Sequence, residues 1–317
     1  MRFTTPERIA ARSVDRSLAV AVLAVAVFVA RPAAAESFVI DFSPEDGAVW
    51  ELTTSDHRTE DFGSAAPAND QTTAIDATHR YEAQSDGSWH VIQDVSDIHM
   101  TMGGQETENP MLPILESHPI RLILNSGGEA EDVEGFRSLM RRYERELDTE
   151  IYERVRQSMK VSRLVEGEIT KWDRSLDGLR GLELSPGDVI GMRGLVEIRG
   201  GYFEVSGVIE IGDWTEVEGE RGVRIICRYD NVGEILRAAG TLERTVERWM
   251  KEDATLAQAR VRIEGTLEAV VVPSTGQLLS EHLNQTAVAP LVQSPGEKAS
   301  FETDTRTTWR RATGSDS

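Results

Sequence analysis

The sequence predicts a β-rich α+β fold in which curved, half-barrel-like antiparallel sheets carry packed helices. Three observations predict it. Apolar and polar residues alternate with period two in several stretches, as strands with one dry and one wet face require. Glycine-containing turns separate those stretches at fairly regular spacing. Two further segments place apolar residues every three or four positions, the spacing of amphipathic helices. One-sided strands belong to antiparallel sheets, because strands of a parallel sheet are buried on both faces and read as continuous apolar runs.

The first segment reads as a leader rather than as part of that fold. Arg2, Arg8, Arg12 and Arg16 precede an unbroken apolar run from Leu18 to Ala30, and Arg31-Pro32-Ala33-Ala34-Ala35-Glu36 follows. A positive segment, an apolar segment of about 7–15 residues and small residues at −3 and −1 make a secretory signal peptide, with cleavage expected after Ala35. The apolar run is shorter than the roughly 20 residues a membrane-crossing helix needs, so a retained anchor is not expected. No cysteine follows the cleavage site to receive a lipid.

In the mature chain, Ser64-Ala65-Ala66-Pro67-Ala68-Asn69-Asp70 reads as an exposed loop. Residues 75–83 and 89–99 then read as a hairpin around Asp86-Gly87, which sets Tyr81 opposite Val91 and His79 opposite Gln93. Further turns fall at Gly103-Gly104 and Gly127-Gly128. From 133 to 159, Val133, Phe136, Leu139, Met140, Tyr143, Leu147, Ile151, Tyr152, Val155 and Met159 follow the helical spacing, with an interruption expected near Asp148. Leu184-Ser185-Pro186-Gly187-Asp188 is a turn that restarts the strands.

Phe203, Val205, Ile209 and Ile211 alternate with Glu204, Ser206 and Glu210. Next, Cys227 shares a strand face with Val223, Ile225 and Tyr229 and reads as a buried structural thiol. Residues 232–250 carry a second helical pattern, broken at Gly240. Val261, Ile263, Leu267, Ala269 and Val271 form another dry face, and Phe301, Thr303, Thr305, Thr307 and Trp309 the last. Strands, long helix, strands, helix, strands suggests a duplicated unit. The expected units are residues 36–180, ending in the long helix, and 181–317, with one helix.

The run Trp89-His90-Val91-Ile92-Gln93-Asp94-Val95-Ser96-Asp97-Ile98-His99-Met100-Thr101-Met102-Gly103-Gly104, the strand and turn from Ile120 to Gly127, and the Pro186-Gly187-Asp188 restart resemble a family of exported bacterial proteins of unknown function. The resemblance implies antiparallel sheets with packed helices, similar in outline to lipoprotein carriers of the cell envelope. It transfers no catalytic residues. The chain departs from lipid-anchored members in lacking the cleavage-site cysteine.

Composition excludes several classes. Removing residues 1–35 takes away five arginines and two acids and leaves 29 basic and 52 acidic side chains, a net charge of −23. A phosphate backbone or an anionic lipid surface would repel such a chain, so nucleic acid is not an expected partner. Arg141, Arg142 and Arg145 come closest to a basic patch, but Glu144 and Glu146 are interleaved with them. The single cysteine allows no intramolecular disulfide.

Candidate chemistry is sparse. His79, His90 and His99 lie near Asp94 and Asp97, a residue set that suits zinc. The hairpin register spreads them along the strands and sets His90 on the face opposite His99, so no metal is expected. No nucleophile elbow, zinc-binding helix, phosphate loop or calcium loop is present. Trp172, Trp214 and Trp249 either fill the core or line a cavity, and core is the expectation.

The leading expectation is therefore a non-catalytic exported protein without a cofactor, periplasmic or extracellular. It would bind a hydrophobic or lipid-like small molecule or an envelope protein, with no stable membrane insertion after cleavage. The alternative is an extracytoplasmic hydrolase using His79 or His99 as general base with Asp97.

Overall fold

The computed structural model describes residues 25–26, 36–63, 68–173, 176, 178–198, 201–233, 261–290 and 298–312. In chain order the elements begin with β1 (Val25–Ala26), β2 (Phe38–Val39), β3 (Val49–Asp61), β4 (Asn69–Ala83), β5 (Trp89–Met102) and β6 (Gln105–Glu106). Helix α1 (Leu112–Glu116), β7 (Ile120–Leu124) and β8 (Ala130–Glu134) follow, then α2 (Phe136–Glu146), α3 (Thr149–Ser158) and α4 (Val161–Asp173). The second run of strands is β9 (Glu183–Leu184), β10 (Val189–Ile198), β11 (Gly201–Val217), β12 (Glu220–Gly233), β13 (Val261–Val272), β14 (Gln277–Pro290) and β15 (Lys298–Arg311).

The long strands join into one antiparallel sheet that is not closed, in the order β1-β10-β11-β12-β13-β14-β15-β3-β4-β5-β7-β8, with β6 beside β5. The path is a meander, except that the last strand returns to pair with β3, setting Trp309 opposite Leu52 and Thr307 opposite Thr54. Bulges interrupt the register between β4 and β5, β7 and β8, β11 and β12, and β13 and β14. Each adds a residue to one strand and bends it, which is how a sheet this wide curves. The chain is a curved α+β protein, as the alternating pattern predicts.

One side of the sheet is dry and carries two clusters. The first gathers Ile190, Val205, Ile209, Ile211, Val223, Ile225 and Ile263 with Ile40 and Leu184, which come from the two short segments paired as a separate β2–β9 sheet. The second lies under the helices and includes Trp50, Leu52, Tyr81, Val91, Leu122, Leu124, Leu139 and Tyr143. Each fully buried side chain of this size contributes about 1.5–3 kcal/mol. The other side of the sheet is wet. Arg224–Glu268 at 2.7 Å, Arg228–Glu210 at 2.6 Å and Arg310–Glu51 at 2.5 Å cross it from strand to strand.

The long helical pattern resolves into separate helices for local reasons. Val133 already belongs to β8, and Gly135, at φ 109°, turns the chain into α2. A side chain there would meet the Pro119 carbonyl, so glycine is required. Phe136, Leu139 and Tyr143 form the buried stripe of α2. Leu147 is extended and Asp148 stands at the N-terminal boundary of α3, which places the break where the sequence suggests it. The sequence reading stops the helix at Met159, but Val161, Leu164, Val165, Ile169 and Trp172 carry the same spacing onward, and α4 extends through them.

The hairpin register is as read, with Tyr81 opposite Val91 and His79 opposite Gln93. The faces of His90 and His99 differ from that reading. Between β4 and β5, Asp76 pairs with Asp97 and Ala77 with Val95, so Ser96 is an extra residue. His90 then lies opposite Glu82 and His99 opposite Ala74, an even separation on β4, so both point to the same face rather than opposite ones. Cys227 is half-buried, its Sγ 2.9 Å from the Met192 sulfur, and burial pushes its thiol up to about 11. Asn69 and Asp70 begin β4, and the rest of that expected loop falls partly outside the described residues. Val232 and Gly233 complete β12, and the remainder of the second helical pattern, with Trp249, lies outside the described residues.

Candidate functional site

The dry face holds a hollow where α4 crosses β3, β4 and β15. Alternation sets His79 and Tyr81 two apart on β4, both pointing inward, with Gln93 and Val91 opposite them on β5. Trp50 lies across from His79 on β3. Over these strands α4 lays Glu168, Lys171 and Trp172, residues that share a helix face because they are three and four apart. The turn between β13 and β14 closes one end with Gln277, and Arg180 closes another. The enclosed space is about 70 Å³.

The walls are positioned by hydrogen bonds. Trp172 Nε1–H donates to the Gly128 carbonyl at 2.9 Å, which ties α4 to the β7–β8 turn. Gly128 has φ +80°, and any side chain there would run into the Phe42 ring. The Gln93 amide donates to Glu168 at 3.2 Å, a second tie between α4 and the sheet. Tyr81 Oη–H donates to Gln277 Oε1 at 3.0 Å, and the Gln277 amide donates in turn to the Leu278 carbonyl at 2.7 Å. Thr307 and Thr54 share a hydrogen bond of 3.1 Å.

Charges around the hollow are largely matched. Lys171 stands 3.6 Å from Glu168, and Arg180 is 3.3 Å from Asp173 and lies over the Phe42 ring. The buried Glu281 has a partner of its own. His79 differs. It is 8% exposed, and its Nδ1 is buried without a hydrogen-bond partner. Burial, with Lys171 adding to it, lowers its pKa to about 3, so the imidazole is neutral at any ordinary pH. Burial raises the Tyr81 phenol above its usual value, partly opposed by Arg180.

His99 and Asp97 meet elsewhere. His99 Nε2 is 2.9 Å from Asp97 and its Nδ1 3.8 Å from Glu106, all three well exposed. They line an open groove of about 590 Å³ with Glu108, Glu116, Ile98 and Leu112. His79 and His99 therefore occupy opposite faces of the sheet, one buried and one in water. Among the described residues no three of His, Cys, Asp and Glu stand close enough to hold a metal ion. Ser126 sits in the β7–β8 turn.

The sequence reading names His79 but not its surroundings. Gln93 is legible as its cross-strand neighbour. Lys171, Arg180 and Gln277 carry no sequence signal, because they arrive from elements distant in the chain. Trp172 lines the hollow as well as packing, while Trp214 packs edge-on to Phe38 at 5.5 Å under the Arg221 guanidinium.

No family model and no curated protein matches this chain. Among solved structures, lipovitellin, described in terms of its lipid–protein interactions, is similar over 86% of this chain at 10% identity and a TM-score of 0.46. This chain spans 26% of the lipovitellin chain. An outer membrane channel from Pseudomonas putida F1 is similar over 86% of this chain and 98% of its own, at 8% identity and a TM-score of 0.21. The translocator domain of the autotransporter NalP from Neisseria meningitidis follows, over 84% of this chain and 89% of its own, at 6% identity and a TM-score of 0.18. No helix among the described residues is long and apolar enough to cross a membrane.

Proposed function

We propose that this protein is an exported, non-catalytic binding protein that accepts one end of a small amphiphilic molecule in the hollow beneath α4. The observation that carries this reading is the lining. Trp172, Trp309, Tyr81 and Leu52 supply apolar surface, and a few polar groups converge on the same space. Ligand sites are built that way. At about 70 Å³ the hollow is smaller than the roughly 300–1,000 Å³ of a filled small-molecule site, so entry requires α4 to lift. No residue of α4 is fully buried, so lifting it costs less than moving α2, whose Phe136, Leu139 and Tyr143 are buried.

Export rests on the leader at residues 1–35, and an intact mass beginning at Glu36 in protein recovered from outside the cytoplasm tests it. Native mass spectrometry of freshly purified protein, with titration of an uncharged hydrophobic fluorophore, tests binding. A co-purifying small molecule or a saturable site supports the reading; absence of both ends it. A hydrolase built on His99 and Asp97 has their 2.9 Å contact in its favour. It requires turnover of an ester, peptide or glycoside substrate that His99→Ala abolishes.

A further inference from the structure

We propose that the hollow beneath α4 selects a ligand whose buried end is an uncharged hydroxyl, and discriminates against carboxylate and ammonium ends. This rests on the binding role above and names the chemistry it would recognise.

Matching of the charges leaves two polar nitrogens of the lining over. Lys171 faces Glu168, Arg180 faces Asp173 and Glu281 is engaged, so among the described residues the walls offer no spare counter-charge. A charged end group entering such a space would lose its water without gaining an opposite charge, a costly transfer. A neutral end group pays only for its hydrogen bonds, and two lining residues have bonds to give. His79 Nδ1 and Arg180 Nε are both buried without partners. The Arg180 Nε–H is a donor only, whereas a neutral imidazole nitrogen either donates or accepts according to its tautomer. A hydroxyl is both donor and acceptor, so it satisfies both nitrogens in either imidazole tautomer; a carboxylate does so only when Nδ1 carries the proton, and an ammonium leaves the Arg180 Nε–H unanswered.

The walls also state what should follow the hydroxyl. Trp172 stands 6.1 Å from the His79 ring and 6.4 Å from the Tyr81 ring, centroid to centroid. Trp309 and Leu52, directly paired on β15 and β3, continue the apolar wall. An alkyl or ring carbon next to the hydroxyl would meet these surfaces. The ligand class is a neutral alcohol-ended amphiphile.

Three probes of equal chain length test this on the purified protein at pH 7: dodecanol, dodecanoate and dodecylammonium, each below its aggregation threshold, followed by tryptophan fluorescence and calorimetry. Dodecanol should bind at least about tenfold more tightly than either charged probe. His79→Phe should lose most of that preference, and His79→Asn, which keeps a donor and an acceptor, should retain it. Equal or tighter binding of a charged probe overturns the selectivity while leaving a binding protein in place. Failure of all three to bind removes the binding role itself. Preference unchanged in a folded His79→Phe variant shows that His79 does not read the end group and also overturns the proposal.

Discussion

Two histidines on neighbouring strands meet opposite fates. His79 lies under α4, neutral and without a partner for Nδ1; His99 lies in water between Asp97 and Glu106. Both belong to the same hairpin and five positions of β4 separate their cross-strand places, since His99 pairs with Ala74. The difference is one of parity. An odd step along a strand moves a side chain from the dry face to the wet one, and with it from a hollow that resists charge to a surface that welcomes it.

A cation placed at each position should give the largest contrast. His79→Lys buries an ammonium near Lys171 and should cost roughly 3–5 kcal/mol or prevent folding. His99→Lys, between two acids, should stay within about 0.5 kcal/mol of the parent. Urea unfolding of the two variants measures both, and similar losses would break the contrast.

Acid should reveal the same asymmetry in the unmodified protein. His79 takes up a proton near 6.5 when unfolded but only near 3 when folded. Protons therefore favour the unfolded chain as pH falls through that window, and stability is lost below about 6.5 rather than gained. Between pH 7 and pH 4 this one residue should account for roughly 3 kcal/mol of lost stability. His79→Phe should flatten the acid limb by that amount, as read from unfolding midpoints across the range.

Loosening the cover is a smaller change. Trp172→Phe keeps an aromatic ring but removes the indole N–H that donates to Gly128, and at least about 1 kcal/mol should be lost. Hydrogen exchange in α4 should rise while that in α2 does not. Smallest of all is a change on the wet face. Arg310→Gln breaks the exposed pair with Glu51 and should shift stability by less than about 1 kcal/mol.

How far this was legible in the sequence follows from the same parity. Alternation along β4 and β5, with the turn at Asp86-Gly87, is enough to pair His79 with Gln93 and to separate it from His99. It is not enough to find the bulge at Ser96, since an extra residue leaves the local pattern intact and only reverses the faces beyond it. The continuation of helix through Ile169 and Trp172 carries a readable spacing. What covers His79 is not readable, because Lys171, Arg180 and Gln277 converge on it through folding of the whole sheet and their own neighbours in sequence say nothing of it.

The pairing of β15 with β3 has a consequence for how the molecule assembles. Glu51 and Arg310 touch across 259 residues of chain, so the middle of the sheet is made from its two ends. Contact order is high, and closure of this seam should be slow. Until the final strand arrives, β3 and β14 both present raw edges to any passing strand. A chain shortened before residue 298 would leave two half-sheets without the strand that hydrogen-bonds them into one, and aggregation rather than a smaller folded product is the expected result.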